Sequence, residues 1–249
     1  MAEALTSPVL EAVPHGFMTR TGGVSTGAVA GLQCGFGADD DAAAVEDNRR
    51  IAAETVLPGA ALVTVYQVHS PDVVVVSGPI SLDDRPRADA LVTDRPGLLL
   101  GIVTADCAPV LFADQEAGVV GAAHAGWRGA AGGVIAGTVS AMQDLGARPE
   151  RIAAAVGPCI AQASYEVGED MRAAFAAEDR GFFVPARAGH YQFDLEGYVA
   201  ALCERAGVGA VDRLGRDTYA DPEHFYSYRR ATHRAEANYG RQLSLIGLR

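Results

Sequence analysis

The feature that most constrains the fold is a series of short aliphatic runs between residues 61 and 124. Each run is rich in β-branched or aliphatic residues and is punctuated by Pro, Gly or Asp, a pattern typical of consecutive sheet strands. The predicted strands span residues 61–68, 72–77, 88–93, 98–104, 110–113 and 118–124. The sequence therefore predicts a sheet-rich domain.

Helical periodicity surrounds these strands. The spacing predicts helices over residues 39–57, with an acidic first turn, and over 130–145, 168–177 and 194–206, with one more strand over 152–156. Gly146 follows the second helix as its stop signal. Strands in blocks with helices between them predict an α+β fold in which sheets pack under flanking helices. No internal repeat or linker-like tract interrupts the chain, so we expect one domain over residues 1–249.

Composition excludes several classes of function. The apolar stretches fall well short of the roughly 20 residues that cross a bilayer, so no membrane span is predicted. The first residues lack a secretory signal, and we expect a cytoplasmic protein. A formal net charge of −11 opposes binding to nucleic acid, whose phosphates repel it. Four scattered cysteines form no Cys-x-x-Cys pair, so we expect reduced thiols rather than disulfides.

Three residues with metal-binding side chains each follow an aliphatic run. They are His69, Cys107 and His124. Zinc takes thiolate and imidazole ligands, and a catalytic zinc site supplies three of them so that the fourth position stays open. We therefore predict that these three residues converge on one metal ion.

Two other interpretations use the same residues. In the first, Cys107 is a nucleophile, His124 is its base and Asp106 or Gln67 orients the base, which makes the protein a cysteine hydrolase. His69 distinguishes this cysteine hydrolase from a metal site, because a metal site needs His69 and a Cys–His pair does not. In the second, the histidines are structural and the cysteine is buried and inert. Asp106 is either an acceptor for a ligand imidazole or a turn residue.

A glycine-rich segment follows the last of these strands. It places Gly126, Trp127, Arg128 and Gly129 at the start of a helix, where free N–H groups and a cation can hold phosphate. Trp127 can stack on a flat ring or pack on the protein itself. Further candidate anion-binding residues are Arg20 and Arg229, for which a surface salt bridge is the alternative.

Eight motifs in order resemble those of the YfiH-type laccase-domain family, also called polyphenol oxidases or peptidoglycan editing factors, over nearly the whole chain. The motifs lie at residues 20–25, 67–69, 88–93, 104–111, 123–129, 157–160, 165–168 and 226–230. The most specific is His-Ala-Gly-Trp-Arg-Gly at 124–129. Two positions depart from the family pattern: Asp217 stands where many members have cysteine, and His233 where many have glycine.

The resemblance implies a layered α/β/β/α sandwich with mixed sheets and a zinc site at His69, Cys107 and His124. It implies phosphorolysis of adenosine, inosine and methylthioadenosine, with adenosine deamination and a link to peptidoglycan precursor editing. On this hypothesis Arg20, Arg128 and the 126–129 amides hold phosphate, and Gln67, Trp127 and Arg229 are further candidates for binding the substrates. Asp106 and Glu166 are candidates for proton transfer. The remaining alternatives are a cysteine hydrolase or amidase acting on a cell-wall precursor, a zinc-stabilised binding protein, and a copper-dependent polyphenol oxidoreductase.

The number of histidines tests the laccase chemistry. A multicopper oxidase needs a cysteine with two histidines for its blue copper and about eight further histidines for its trinuclear cluster. This chain has six histidines in all. One chain therefore cannot assemble a three-copper laccase, and oxidase activity would require another arrangement of copper.

Overall fold

The computed structural model describes residues 1–249 and contains fourteen strands and six α-helices. The strands are β1 (Ala4–Leu5), β2 (His15–Met18), β3 (Ala61–Thr64), β4 (Val73–Val75), β5 (Ala90–Thr93), β6 (Leu98–Thr104), β7 (Ala108–Asp114), β8 (Val119–Ala125), β9 (Ala153–Val156), β10 (Glu166–Gly168), β11 (Phe183–Pro185), β12 (His190–Phe193), β13 (Ala210–Arg213) and β14 (Gln242–Gly247). The helices are α1 (Ala42–Val56), α2 (Trp127–Gly132), α3 (Val134–Asp144), α4 (Glu169–Ala173), α5 (Leu195–Arg205) and α6 (Tyr228–His233).

The strands form two large mixed sheets and one small sheet. The five-stranded sheet has the order β1-β2-β14-β6-β3, and only its β3–β6 pair is parallel. The six-stranded sheet has the order β13-β9-β7-β8-β5-β4, with parallel pairs at its two edges. A three-stranded sheet, β10-β12-β11, pairs with neither large sheet, and its Phe183 and Phe193 pack into the core on the outer side of the six-stranded sheet. Strand β6 is in one large sheet and β7 in the other, so the chain crosses between the sheets at residues 105–107.

Strand β6 shows why the sheets stack in layers. Because side chains alternate along a strand, Leu98, Leu100 and Ile102 share one face, which packs into the core between the two large sheets. Leu99 faces the other way and packs with Ala52 of α1. Both faces of the strand are thus covered, which explains its unbroken aliphatic sequence.

Strand β8 repeats this alternation in the six-stranded sheet. Val120 and Ala122 face the core between the sheets, whereas Val119 and Ala123 face the outer core that holds α3 and α5. The layers therefore run α1, five-stranded sheet, six-stranded sheet, and then α3 with α5. This is the predicted α+β sandwich of α/β/β/α layers. None of the helices combines the length and the apolar character that crossing a membrane requires.

Some element boundaries differ from the prediction. The helix predicted over 130–145 is two helices, because Gly133 adopts φ +100° between α2 and α3 and breaks the helical path. The acids predicted in the first turn of the 39–57 helix precede it, and Asp41 caps it by accepting from the Ala43 N–H. The helix predicted over 168–177 shrinks to the five residues of α4. The prediction also missed the short strands β1, β2 and β10–β13, the strand β14 and the helix α6.

Candidate active site

Three elements bring the predicted donor residues together. His69 lies in the loop between β3 and β4, Cys107 ends the crossing from β6 to β7, and His124 is next to last in β8. Their ligand atoms all lie within 4.8 Å of one another, and Cys107 Sγ is 4.0 Å from His69 Nε2. By alternation along β8, His124 lies on the strand face that turns toward the five-stranded sheet. The cluster therefore sits where the two large sheets meet at their ends.

The backbone at this cluster is strained. His69 has φ +62° and Asp106 has φ +82°, and these are two of only three non-glycine residues with positive φ in the chain. Such conformations cost about 1–3 kcal/mol each and persist only where the surroundings hold them. Asp106 is held by its carboxylate, which accepts from Thr218 Oγ1 at 2.7 Å and from the Arg229 N–H at 2.6 Å. Its side chain therefore points away from the imidazoles and fixes the turn that presents Cys107.

Asp89 is the carboxylate that orients the His124 imidazole and holds the backbone on both sides of His69. Its Oδ1 lies 2.7 Å from His124 Nδ1, and its Oδ2 accepts from the Val68 and Ser70 N–H groups at 3.1 and 2.7 Å. Burial raises the pKa of Asp89, but the hydrogen bonds from His124 and the two N–H groups outweigh it and bring the pKa to about 2. A single carboxylate thus forms hydrogen bonds with His124 and with the N–H groups of both neighbours of His69.

Cys107 differs electrostatically from the other cysteines. Burial raises the pKa of its thiol, but His124 and His69 outweigh burial and bring the pKa down to about 6. Burial lowers the pKa of His124, and the Cys107 thiolate and Asp89 raise it to about 9. The other three thiols are free and buried, and burial raises the pKa of Cys34 and of Cys203 to about 12. Cys107 is therefore the thiol suited to bind a metal or to act as a nucleophile.

Gly126 shows how closely the donors are packed. A Cβ at this position would lie 2.9 Å from Cys107 Sγ, 3.0 Å from His69 Cδ2 and 3.6 Å from His124 Nε2. Tetrahedral zinc places a thiolate and an imidazole nitrogen about 3.5 Å apart, close to the 4.0 Å between Cys107 Sγ and His69 Nε2. One thiolate and two imidazoles also leave one coordination position open. The donor set therefore fits zinc, and it fits copper as well.

The donors open into a cavity of about 650 Å³, within the range of small-molecule sites. Aromatic rings, three guanidinium groups and small polar residues form its wall, and no carboxylate does. Besides the three donor residues, the lining comprises Phe36, Gly37, Arg49, Thr64, Val65, Tyr66, Gln67, Arg85, Val103, Thr104, Ala105, Tyr228, Tyr239 and Arg241. The cavity can thus offer ring faces and positive charge beside the donor cluster.

The arginines predicted to bind phosphate lie outside this lining. Arg20 donates to the carbonyl groups of Pro222 and Ala30 and stacks over the Tyr226 ring. Arg229 donates to the Glu166 carbonyl at 2.7 Å. Both guanidinium groups therefore serve contacts between segments of the protein itself.

The glycine-rich segment serves packing as well as the site. Trp127 stacks on Phe175 with 6.2 Å between ring centroids, and exposed Arg128 lies over the Trp127 ring. A Cβ at Gly129 would lie 3.1 Å from the Ser70 carbonyl oxygen, so this glycine lets α2 approach the His69 loop. None of these three residues lines the cavity, whereas a Cβ at Gly126 would come within 3.6 Å of all three donor residues.

Of the remaining candidate residues, Gln67 lines the cavity, whereas Glu166 and Asp106 do not. Gln67 lines the cavity, and its side chain pairs with both backbone groups of Val103 at 2.8 and 2.9 Å. Glu166 forms an ion pair with Arg187 at 2.9 Å and does not line the cavity. Asp106 holds a turn through its contacts with Thr218 and Arg229 and does not line the cavity. The two carboxylates expected to transfer protons are therefore engaged elsewhere.

Sequence reasoning missed Asp89 and the arginines of the cavity. Asp89 stands between two alanines at the start of a buried strand, and an acid in that context is a usable signal. Arg49 also carried a usable signal in the sequence, because it lies on the buried face of α1 with Val45 and Ala52. Arg241 lies in an irregular segment, where periodicity carries no information.

Comparison with known proteins places the chain among close relatives. A family model described as multi-copper polyphenol oxidoreductase laccase matches residues 14–249. A Deinococcus radiodurans protein named purine nucleoside phosphorylase is 48% identical over 238 residues, which cover 95% of this chain and 90% of the relative. A Streptomyces griseus protein named purine nucleoside phosphorylase ORF3 is 44% identical over 229 residues, covering 90% and 92%.

Solved structures share the whole fold. The Neisseria meningitidis protein NMB0706 superposes with a TM-score of 0.88 at 36% identity, covering 99% of this chain and 98% of that one. YlmD from Geobacillus stearothermophilus superposes with a TM-score of 0.89 at 32% identity, covering 98% and 94%. The layered sheets are therefore common to all three proteins.

Proposed function

The chain belongs to the multi-copper polyphenol oxidoreductase laccase family, and we propose that within this family it is a zinc-dependent purine nucleoside phosphorylase. The observation that carries the proposal is the His69, Cys107 and His124 cluster at the wall of a cavity of about 650 Å³. Relatives named purine nucleoside phosphorylase, up to 48% identical, support the same activity. The substrates are adenosine, inosine or methylthioadenosine together with phosphate.

Three-copper laccase chemistry does not fit this chain's histidines. Only His69 and His124 line the cavity. The other four are His15, His190, His224 and His233, and none of them belongs to the cluster. The histidines of this chain therefore favour phosphorolysis, the activity for which the relatives are named, over three-copper oxidation.

Phosphorolysis needs two substrates held together in one cavity. A phosphate oxygen forms a bond to C1′ of the nucleoside while the C1′–N9 bond breaks, and the electron pair leaves with the purine, which takes up a proton. Zinc held by His69, Cys107 and His124 supplies Lewis acidity at this site. Tyr66 and Tyr228 offer ring faces to the purine at the rim, where each is 52% exposed.

The proposal is tested with inosine and phosphate, by measuring bound metal and the formation of hypoxanthine and ribose 1-phosphate. We expect His69→Ala and Cys107→Ala each to lose the metal and at least about a hundredfold in kcat/KM, because each removes a donor. His190→Ala, which removes a histidine outside the cluster, is the control. Wild-type activity in metal-free His69→Ala would contradict the proposal.

Adenosine provides a second assay with the same variants. Phosphorolysis yields adenine and requires phosphate, whereas deamination yields inosine and ammonia and does not. Release of inosine without phosphate would show the deaminase activity that the family resemblance implies. Adenine without inosine would restrict the enzyme to phosphorolysis.

A metal-free cysteine hydrolase is the second candidate, because the same side chains form a nucleophile, a base and an orienting acid. Asp89 holds His124 Nδ1, which leaves Nε2 as the ring nitrogen that can act as a base for Cys107. Asp89 thus takes the orienting role that the sequence had suggested for Asp106 or Gln67. Only His69 is superfluous in this mechanism, so His69→Ala separates the two functions.

A further inference from the structure

Three guanidinium groups converge on one wall of the cavity, around Phe36. Arg49 comes from α1, Arg85 from the segment between β4 and β5, and Arg241 from the residue before β14. The guanidinium carbons of Arg49 and Arg85 lie 5.2 and 5.6 Å from the Phe36 ring centroid. The stem of Arg241 covers Gly35, where a Cβ would lie 2.7 Å from it. The fold thus gathers three cations from segments far apart in sequence.

No carboxylate neutralises these cations. None of the three forms an ion pair, although twelve ion pairs occur elsewhere in the protein. The lining of the cavity contains no Asp or Glu, in a chain whose net charge is −11. Arg49 is only 6% exposed, and burial together with Arg85 lowers its pKa to about 10, so it remains charged. A buried positive charge without an opposite charge beside it is costly, and an anionic ligand lowers that cost.

Two polar groups of residues that line the cavity have no hydrogen-bond partner in the protein. Nη1 of Arg241 and the hydroxyl of Thr104 are buried without a hydrogen bond, and both residues line the cavity. Buried polar groups are nearly always paired with protein, water or a ligand, so these two groups need a partner that the protein itself does not supply. Nη2 of Arg241 is fixed by the Tyr239 hydroxyl at 3.1 Å, which holds the guanidinium in place.

We infer that Arg49, Arg85 and Arg241 form the phosphate subsite of the enzyme, and that its occupant is free orthophosphate. The inference rests on the proposed phosphorylase function and specifies where its second substrate binds. A phosphate dianion presents several acceptor oxygens, which match the forked donors of guanidinium groups. This subsite replaces the one expected at Arg128 and the start of α2, which do not line the cavity.

Direct binding tests the subsite without reference to turnover. Titration calorimetry with sodium phosphate, against chloride of equal ionic strength, compares wild type with Arg85→Gln and Arg241→Gln. Loss of one charge-assisted contact weakens the affinity about tenfold to a hundredfold. Arg50→Gln is the matched control, because Arg50 is the next residue of α1 and its side chain is 66% exposed.

Arg49 needs a different variant, because it also supports the fold. Its guanidinium donates to the Cys34 carbonyl and to Thr64 Oγ1, at 3.0 and 2.7 Å. Arg49→Lys keeps the charge and loses the forked geometry, so we expect weaker phosphate binding with an unchanged circular dichroism spectrum. In turnover assays, the KM for phosphate rises in all three variants while the KM for inosine stays within about twofold.

The outcomes separate this inference from the proposed function. Weakened phosphate binding in both Gln variants supports the subsite even if wild type turns over no inosine, which would contradict the phosphorylase function alone. Unchanged binding in both, or loss only in Arg128→Gln, would overturn the subsite. Titration with inosine 5′-monophosphate tests whether a nucleotide phosphate occupies the subsite instead. If this nucleotide binds wild type more tightly than orthophosphate does, and binds the Gln variants no more tightly than orthophosphate does, the occupant is a nucleotide phosphate and not free orthophosphate.

Discussion

At the scale of single residues, Asp89 organises the candidate site. One oxygen fixes the Nδ1 of His124, and the other holds the N–H groups on either side of His69. These contacts stabilise the positive φ of His69, which would otherwise be strained. Asp89 is itself fully buried, so its charge is satisfied only by these partners.

Replacing Asp89 should weaken metal binding without removing a donor. We expect Asp89→Asn to lower the zinc affinity about tenfold to a hundredfold, because a carboxylate that orients a ligand imidazole is lost. Competition with a chromophoric chelator measures the affinity. Asp72→Asn is the control, because Asp72 is an exposed acid in the loop that carries His69. Equal zinc affinity in both variants would show that Asp89 does not position the donors.

At the scale of elements, residues at the ends of strands form the candidate site and also connect neighbouring segments of the fold. The start of β7 follows Cys107, and its last residue, Asp114, is buried and ties the strand to the segment before β9. Asp114 accepts from the Arg148 N–H at 2.9 Å and from Arg151 Nε at 3.0 Å. Burial raises the pKa of Asp114, but these contacts and the Ala117 N–H outweigh it and lower the pKa.

This lowered pKa predicts how stability depends on pH. The folded carboxylate binds a proton less readily than the unfolded one, so its contribution is complete above the unfolded pKa of about 4 and declines as the pH falls further. We expect Asp114→Asn to lower the free energy of unfolding by about 1.5–3 kcal/mol at pH 7 and by less at pH 3. Urea unfolding at both pH values measures this. Asp47→Asn, from an exposed ion pair, should change it by less than about 1 kcal/mol.

At the scale of the whole molecule, folding is what assembles the donor set. Residues 69, 107 and 124 belong to a loop, a crossing between sheets and a strand end. In the unfolded chain they are separated by 38 and 17 residues. A metal that binds all three therefore binds the folded state and stabilises it.

Removing the metal should therefore lower the melting temperature. When the free zinc concentration is about a hundredfold above Kd, binding adds about 2.7 kcal/mol to the free energy of unfolding. For a chain of this size, this raises the melting temperature by roughly 5–10 °C. Differential scanning calorimetry with and without a chelator measures the shift. We expect His69→Ala to lose most of it and His190→Ala to keep it. If the chelator does not change the melting temperature of wild type, tight metal binding at this cluster is excluded.

Much of the architecture is predictable from sequence because its cause is local. The aliphatic runs of β5 to β8 mark strands, since both faces of these strands are covered by other layers. His69, Cys107 and His124 were identifiable because each follows such a run, and the ends of neighbouring strands meet in space. The strands β10 to β13 escaped prediction, because each has only three or four residues and most of these are partly exposed rather than part of an aliphatic run.

What the sequence alone determined is thus the layered class of the fold and the three donor residues, both of which arise from short-range patterns of burial. Only the tertiary structure decided which charges surround them. Asp89, rather than Asp106, holds His124, and Arg49, Arg85 and Arg241, rather than Arg20 and Arg128, line the cavity. The physical reason is that a charge acts on whatever lies within a few ångströms of it, and those neighbours come from segments that meet only after the sheets have packed.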